Sequence, residues 1–108
     1  MSPLVATIDV IRTLAFGGIS GTYAAAGIPL SFPTRLICFT NNTNGDVFFS
    51  TDGVNNQLFV AASSFKLFDL NTNRNALQPA WAFAKGTQFY VKQSTAPTSG
   101  AVYIECLG

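Results

Sequence analysis

Short runs of apolar and β-branched residues, separated by polar turns, occupy most of this chain. In Ala101–Leu107 every second residue from Val102 onward is apolar, whereas Tyr103 and Glu105 fall on the other side. Thr87–Gln93 alternates in the same way. A period of two is typical of a strand with one buried and one exposed face. Both segments are therefore predicted as strands.

Other strand candidates share this composition and are bounded by Asn, Gly, Asp and Pro. They are Ile8–Phe16, Thr22–Ala26, Arg35–Thr40, Asp46–Thr51, Gln57–Ala61 and Ser64–Leu70, with Trp81–Ala84 as either a short strand or an irregular crossing. Asn44-Gly45 is the strongest hairpin signal, because both residue types tolerate positive φ. It predicts that Arg35–Thr40 and Asp46–Thr51 form a hairpin around the turn Asn41–Gly45.

No stretch of about 12 residues keeps the 3.6-residue spacing of an amphipathic helix. Seven or eight short strands predict an all-β fold, an antiparallel β-sandwich or jelly-roll-like architecture. The 108 residues fit one domain spanning 1–108. The glycine-rich part of residues 1–27 leaves two alternatives open: an N-terminal arm that reaches a neighbouring subunit, or an edge segment of the same sandwich.

Charge is scarce, because only 10% of the residues are Asp, Glu, Lys or Arg, against about 25% in an average protein. The net charge of +1 and the scattered lysines argue against a nucleic-acid partner. No uninterrupted apolar stretch approaches the roughly 18 residues of a membrane span, and no basic residue precedes an apolar run as in a secretory signal. A charge-poor surface suits a subunit covered by its neighbours, since interface cores are depleted in charge.

Catalytic equipment is missing from the sequence. There is no histidine, the commonest general base and transition-metal ligand, and no nucleotide-binding or nucleophile-elbow motif. Turn chemistry explains the acidic residues better than a catalytic pair does. The sequence therefore predicts no enzyme, no catalytic residue and no cofactor. A calcium site is the weaker alternative for four oxygen-bearing residues, Asn42, Asn44, Asp46 and Asp52, so no metal is expected.

Two further residue classes leave choices open. Cys38 and Cys106 permit a disulfide, but without an export signal two buried thiols are preferred. The aromatic residues form either a ligand platform or, as we prefer, part of an oligomer interface, where Tyr and Trp are enriched. These candidate interface residues are Tyr23, Trp81, Tyr90 and Tyr103, with Tyr90 and Tyr103 expected as a cross-strand pair.

Several stretches resemble small virion proteins encoded in the structural gene clusters of tailed bacteriophages. The resemblance covers about Leu36–Leu107. It rests on the segments Cys38–Thr43, Val47–Gly53, Ser64–Asn73, Lys85–Lys92 and Ser99–Tyr103. It is a pattern of strands and turns and transfers no functional residue.

The resemblance implies a structural virion protein, assembled in the host cytoplasm and foremost a capsid decoration or cement protein. Its partners would be the major capsid protein or other virion proteins, and it would form a homo-oligomer, commonly a trimer in decoration proteins. A neck, collar or tail component is the first alternative. A carbohydrate-binding β-sandwich module, using Trp81 or the tyrosines, is the second.

Overall fold

Two four-stranded antiparallel sheets make up the fold in the computed structural model, which describes residues 8–69 and 83–107. A short 3-10 turn, Phe16–Gly18, follows the first strand. The strands are β1 (Arg12–Ala15), β2 (Ala24–Ala25), β3 (Leu36–Thr43), β4 (Val47–Ser50), β5 (Leu58–Val60), β6 (Ser64–Asp69), β7 (Tyr90–Gln93) and β8 (Gly100–Leu107).

The strand order is β1-β8-β3-β6 in sheet I and β2-β7-β4-β5 in sheet II. All strand pairs in both sheets are antiparallel. The predicted all-β antiparallel sandwich of seven or eight short strands is therefore confirmed, with eight strands. No helix in the described part of the chain has the length and apolar character needed to cross a membrane.

The core lies between the two sheets. It is made by the inward-facing side chains, which alternate with outward-facing ones along the strands. The phenyl ring of Phe39 on β3 lies 5.0 Å from that of Phe49 and 5.3 Å from that of Phe89, centroid to centroid. Val102 and Ile104 point inward from β8, as their alternation predicts, and both are fully buried. The rings therefore join sheet I to sheet II at the centre of the sandwich.

The predicted hairpin around Asn44-Gly45 is wrong. β3 continues to Thr43, through residues predicted as turn, and pairs with β6 and β8, whereas β4 pairs with β5 and β7. Asn44-Gly45 thus takes the chain from one sheet to the other. Gly45 does not have a positive φ. Glycine is needed here because the chain passes so close to Thr95 that a Cβ would overlap the carbonyl oxygen of that residue.

A buried hydrogen-bond network holds this crossing in place. The Asn41 amide donates to the carbonyl oxygens of Gly45 (2.8 Å) and Val60 (3.1 Å). Its own oxygen accepts from the Thr43 N–H (3.1 Å) and lies 2.6 Å from the Thr43 hydroxyl. Asn41 is fully buried, so these bonds replace the water it loses on folding.

The residues before Gly27 belong to the sandwich wherever the structure describes them. β1 and β2 are edge strands of the two sheets, and Ile19 and Ala26 are buried in the core. Residues 1–7, the remainder of the predicted arm, lie outside the described residues.

Arg12 on β1 joins these two edges. Its side chain, only 1% exposed, donates to the carbonyl oxygens of Val10, Ile28 and Pro29 and forms an ion pair of 3.0 Å with Asp9. Burial opposes the ionisation of Asp9, but N–H groups of Ser31 and Val10 and the guanidinium of Arg12 outweigh it. The pKa of Asp9 therefore lies below its ordinary value.

Candidate interaction surfaces

The predicted interface residues do not lie on one surface. Tyr23 and Tyr90 are on the side of sheet II, whereas Tyr103 is on β8 in sheet I, opposite Thr13 and Thr40. The expected cross-strand pair of Tyr90 and Tyr103 is wrong, because β7 and β8 belong to different sheets. Trp81, the fourth predicted residue, lies outside the described residues.

The outer side of sheet II carries a cluster that we call the tyrosine face: Tyr23, Phe48, Tyr90 and Lys92. The Lys92 ammonium lies 4.9 Å from the ring centroid of Tyr23 and 5.8 Å from that of Phe48. These are cation–π distances, and each ring holds the ammonium in place. Desolvation, helped by the negative charge of Asp52, raises the pKa of Tyr23. The phenol therefore remains neutral in the physiological range.

A polar loop, residues 51–57, lies beside this face. The Tyr23 hydroxyl donates to the side-chain oxygen of Asn56 at 2.6 Å, and the Tyr90 ring lies 3.5 Å from the position that a Cβ on Gly53 would occupy. We call this segment the docking loop. Its contacts with Tyr23 and Tyr90 join it to the tyrosine face.

Asp52 organises the docking loop from within. One carboxylate oxygen accepts from the Ser50 hydroxyl (2.7 Å) and from the N–H groups of Val54 (2.8 Å) and Asn55 (2.9 Å). The other accepts from the Asn55 amide at 2.7 Å. These hydrogen bonds, that of Ser50 foremost, hold the pKa of Asp52 well below its ordinary value. The loop is thus ordered by its own groups, while the Val54 side chain is left 77% exposed.

The β5–β6 edge, our name for the side of the sandwich bounded by these strands, is apolar. Phe65 and Leu67 point outward from β6 in sheet I and are 66% and 57% exposed. Phe59 on β5 is exposed on the outer side of sheet II, where its ring centroid lies 5.6 Å from that of Phe48 in the tyrosine face. Sequence reasoning missed these three as interface candidates because it considered only Tyr and Trp. The alternation of Phe65 and Leu67 around Lys66 does not signal exposure, because the same pattern is typical of a strand whose apolar side is buried.

The opposite side, the β1–β2 edge, is also apolar. Its exposed large hydrophobic residues are Ile8, Val10, Ile11, Phe16 and Ile28. Isolated exposed apolar residues are ordinary, but groups of them on a charge-poor domain are typical of contact surfaces. Both sides of the sandwich thus expose apolar groups next to an edge strand.

A cavity of about 240 Å³ opens between the sheets near β4 and β5. Its lining consists of five phenylalanine residues and Leu58 together with three polar residues: Phe39, Phe49, Phe68, Phe83, Phe89, Leu58, Ser50, Thr51 and Gln57.

The four oxygen-bearing residues of the calcium alternative do not converge. Asp46 and Asp52 stand at opposite ends of β4, roughly 20 Å apart along an extended chain. The Asp46 carboxylate accepts from the Ala62 N–H, and the Asn44 amide is bonded to Thr98. Among the described residues, no group of three or more His, Cys, Asp or Glu side chains is placed to hold a metal ion.

The two cysteines are free, as preferred from the sequence. Cys106 is buried, and desolvation raises the pKa of its thiol to about 11. Cys38 is only half-buried, so the expectation of two buried thiols is wrong for this residue. Cys38 is paired with Glu105 and Ile37 with Cys106, which places the two thiols on opposite faces of sheet I.

Comparisons with known proteins add no relative. The chain matches no protein-family model, no curated protein and no solved structure.

Proposed function

We propose that this chain is a structural virion protein, a capsid decoration protein of a tailed bacteriophage that binds the assembled shell. The observation that supports the proposal most is the docking loop, which presents Val54 to solvent on a framework of internal hydrogen bonds. The scarcity of charge and the resemblance of the strand and turn segments to small virion proteins agree with it.

Preorganisation makes the docking loop suited to binding. Ordering a flexible loop on association costs free energy that reduces affinity. Asp52 holds the N–H groups of Val54 and Asn55 before any partner arrives, and Tyr23 fixes Asn56 from the adjoining tyrosine face. The apolar side chain of Val54 is therefore offered to a shell subunit with little further ordering.

Decoration needs no chemistry beyond selective binding. A protein that binds the assembled shell and not its separated subunits stabilises the shell by mass action, by about 2.7 kcal/mol per site at a free concentration of 100 Kd. A rigid sandwich with a fixed loop is sufficient for that role.

The test is co-sedimentation of the purified chain with expanded empty shells built from the major capsid protein of the same virus. We expect saturable binding, weakened at least tenfold by Val54→Lys, because the substitution places a charge in an apolar contact. Ser99→Lys is the matched control. It adds the same charge at an exposed site at the opposite end of β4, and it should bind like the parent chain. No binding of the parent chain to shells would overturn the decoration role, and a stable ring that ignores shells would favour the neck, collar or tail.

A carbohydrate-binding module remains the second candidate, because three aromatic residues, Tyr23, Phe48 and Tyr90, share the tyrosine face. Sugar rings stack on exposed aromatic faces. Here the ammonium of Lys92 lies over two of the rings, and the docking loop packs on Tyr90. Glycan-array binding that is lost on Tyr90→Ala or Trp81→Ala would support this function over decoration.

A further inference from the structure

We propose that copies of this chain assemble head-to-tail, with the β5–β6 edge of one copy against the β1–β2 edge of the next. The inference rests on the proposed role as an assembly subunit. It names a second copy of the chain as the partner and assigns the two surfaces that meet.

Strand direction permits this arrangement. Each sheet has four strands in antiparallel order, so its two edge strands run in opposite directions. A neighbouring copy in the same orientation places its β1 beside β6, and its β2 beside β5, in antiparallel fashion. Both sheets can therefore continue into the next copy with the same kind of pairing that they use internally. Among the described residues, β1, β2, β5 and β6 each pair with a strand on one side only, and such an edge strand is a ready template for addition of a further strand.

The two edges also match in apolar character. Exposed side chains on the β5–β6 edge are Phe59, Phe65 and Leu67, and those on the β1–β2 edge are Ile8, Val10, Ile11, Phe16 and Ile28. At about 200 Å² for such a side chain fully exposed, the observed exposures correspond to roughly 900 Å² in total. A standard-size interface buries about 1,600 Å², a little over half of it apolar. Complete burial of these eight side chains would supply that apolar share.

A symmetric contact of β6 with β6 of a second copy fits less well. The antiparallel register that places Phe65 opposite Leu67 of the other copy also places Lys66 directly opposite Lys66. Like charges directly across a strand pair are destabilising. The heterologous contact avoids this, because the described residues of the β1–β2 edge include no free lysine, and Arg12 is buried in its ion pair. Heterologous contacts close into a ring when the rotation between copies permits.

Two edge-blocking variants test the inference by mixing. Phe65→Lys blocks the β5–β6 edge and Ile11→Lys blocks the β1–β2 edge, each at a side chain that is at least half exposed. In sedimentation velocity the parent chain should form oligomers larger than a dimer, and each variant alone should be a monomer. Their equimolar mixture should give a dimer and nothing larger, because the two intact edges pair once and both outer edges are blocked.

Val54→Lys is the matched control, since it changes an exposed apolar residue to lysine outside both edges and should leave the oligomer intact. Circular dichroism checks that each variant is folded, and Leu67→Lys replaces Phe65→Lys if that variant is not. A monomeric parent chain would overturn the inference. So would an Ile11→Lys variant that still assembles, or a mixture that stays monomeric. A monomer that binds shells would leave the decoration role standing, whereas an oligomer that ignores shells would overturn the decoration role alone.

Discussion

At the scale of single residues, polar groups and one glycine decide where the chain leaves one sheet for the other. Asn41 and Thr43 occupy inward positions of β3, where a strand pattern calls for apolar side chains. They are tolerated because their hydrogen bonds are made within the protein. Gly45 provides the space that brings this turn against Thr95.

Asn41→Ala should lower the free energy of unfolding by about 3 kcal/mol, because buried groups of Thr43, Gly45 and Val60 each lose a partner. Urea unfolding measures the change. The neighbouring Asn42→Ala, at an exposed position, should stay within about 0.5 kcal/mol of the parent chain. Equal effects of the two substitutions would show that the Asn41 network does not stabilise the fold.

Gly45→Ala should destabilise the protein by about 2 kcal/mol, because the added methyl group meets backbone atoms that cannot move aside easily. Gly17→Ala is its control, since nothing lies within 4 Å of the added atom and φ there is not positive. Thermal unfolding compares them. A Gly45→Ala variant as stable as Gly17→Ala would contradict the close-approach role.

Asp52 makes stability depend on pH at the acidic end. Its pKa is depressed in the folded chain, so its stabilisation is present above about pH 4, the unfolded value, and is lost as the pH falls towards the folded value. We expect the melting temperature of Asp52→Asn to fall less steeply than that of the parent chain below pH 4. Asp9 adds a smaller contribution of the same sign in both proteins. If the melting temperatures of the two proteins fall equally steeply below pH 4, Asp52 is not the source of this pH dependence.

At the scale of elements, alternation predicted strands well and sheet membership poorly. The alternating residues of β7 and β8 point as predicted, because period-two patterns report burial directly. The Asn44-Gly45 turn was read as a hairpin because local turn chemistry does not reveal which partners a strand chooses. β3 pairs with β6 and β8, which follow it at long sequence separations.

The interaction surfaces were harder to predict than the strands. Tyr23 and Tyr90 were expected at an interface, and they do share a face, but the exposure of Phe65 and Leu67 has no signature that differs from a core strand. Their alternation around Lys66 predicts burial of the apolar side, whereas at the edge of sheet I that side faces outward. The ion pair of Asp9 and Arg12 was equally invisible, since neither residue belongs to a recognisable motif.

Arg12→Met should cost about 4 kcal/mol of stability, because it leaves the Asp9 carboxylate and three carbonyl groups without their buried cation. Chemical denaturation measures this. The double variant Asp9→Asn with Arg12→Met should recover part of the loss, since no unpaired buried charge remains. Lys85→Met, at an exposed position, is the control and should change little. An Arg12→Met variant as stable as the parent chain would show that the β1 and β2 edges hold together without the ion pair of Asp9 and Arg12.

At the scale of the whole molecule, the sandwich offers three surfaces with separate proposed uses. The docking loop is assigned to the shell, and the two apolar edges are assigned to neighbouring copies. Because Val54 and Phe65 lie on different surfaces, shell binding and self-assembly are expected to respond to different substitutions.

The most direct test of the account is differential scanning calorimetry of expanded shells with increasing amounts of the purified chain. The decoration role predicts that the melting temperature of the shell rises and levels off at a fixed number of chains per shell subunit. A shell transition that is unchanged at saturating concentrations of the chain would contradict it.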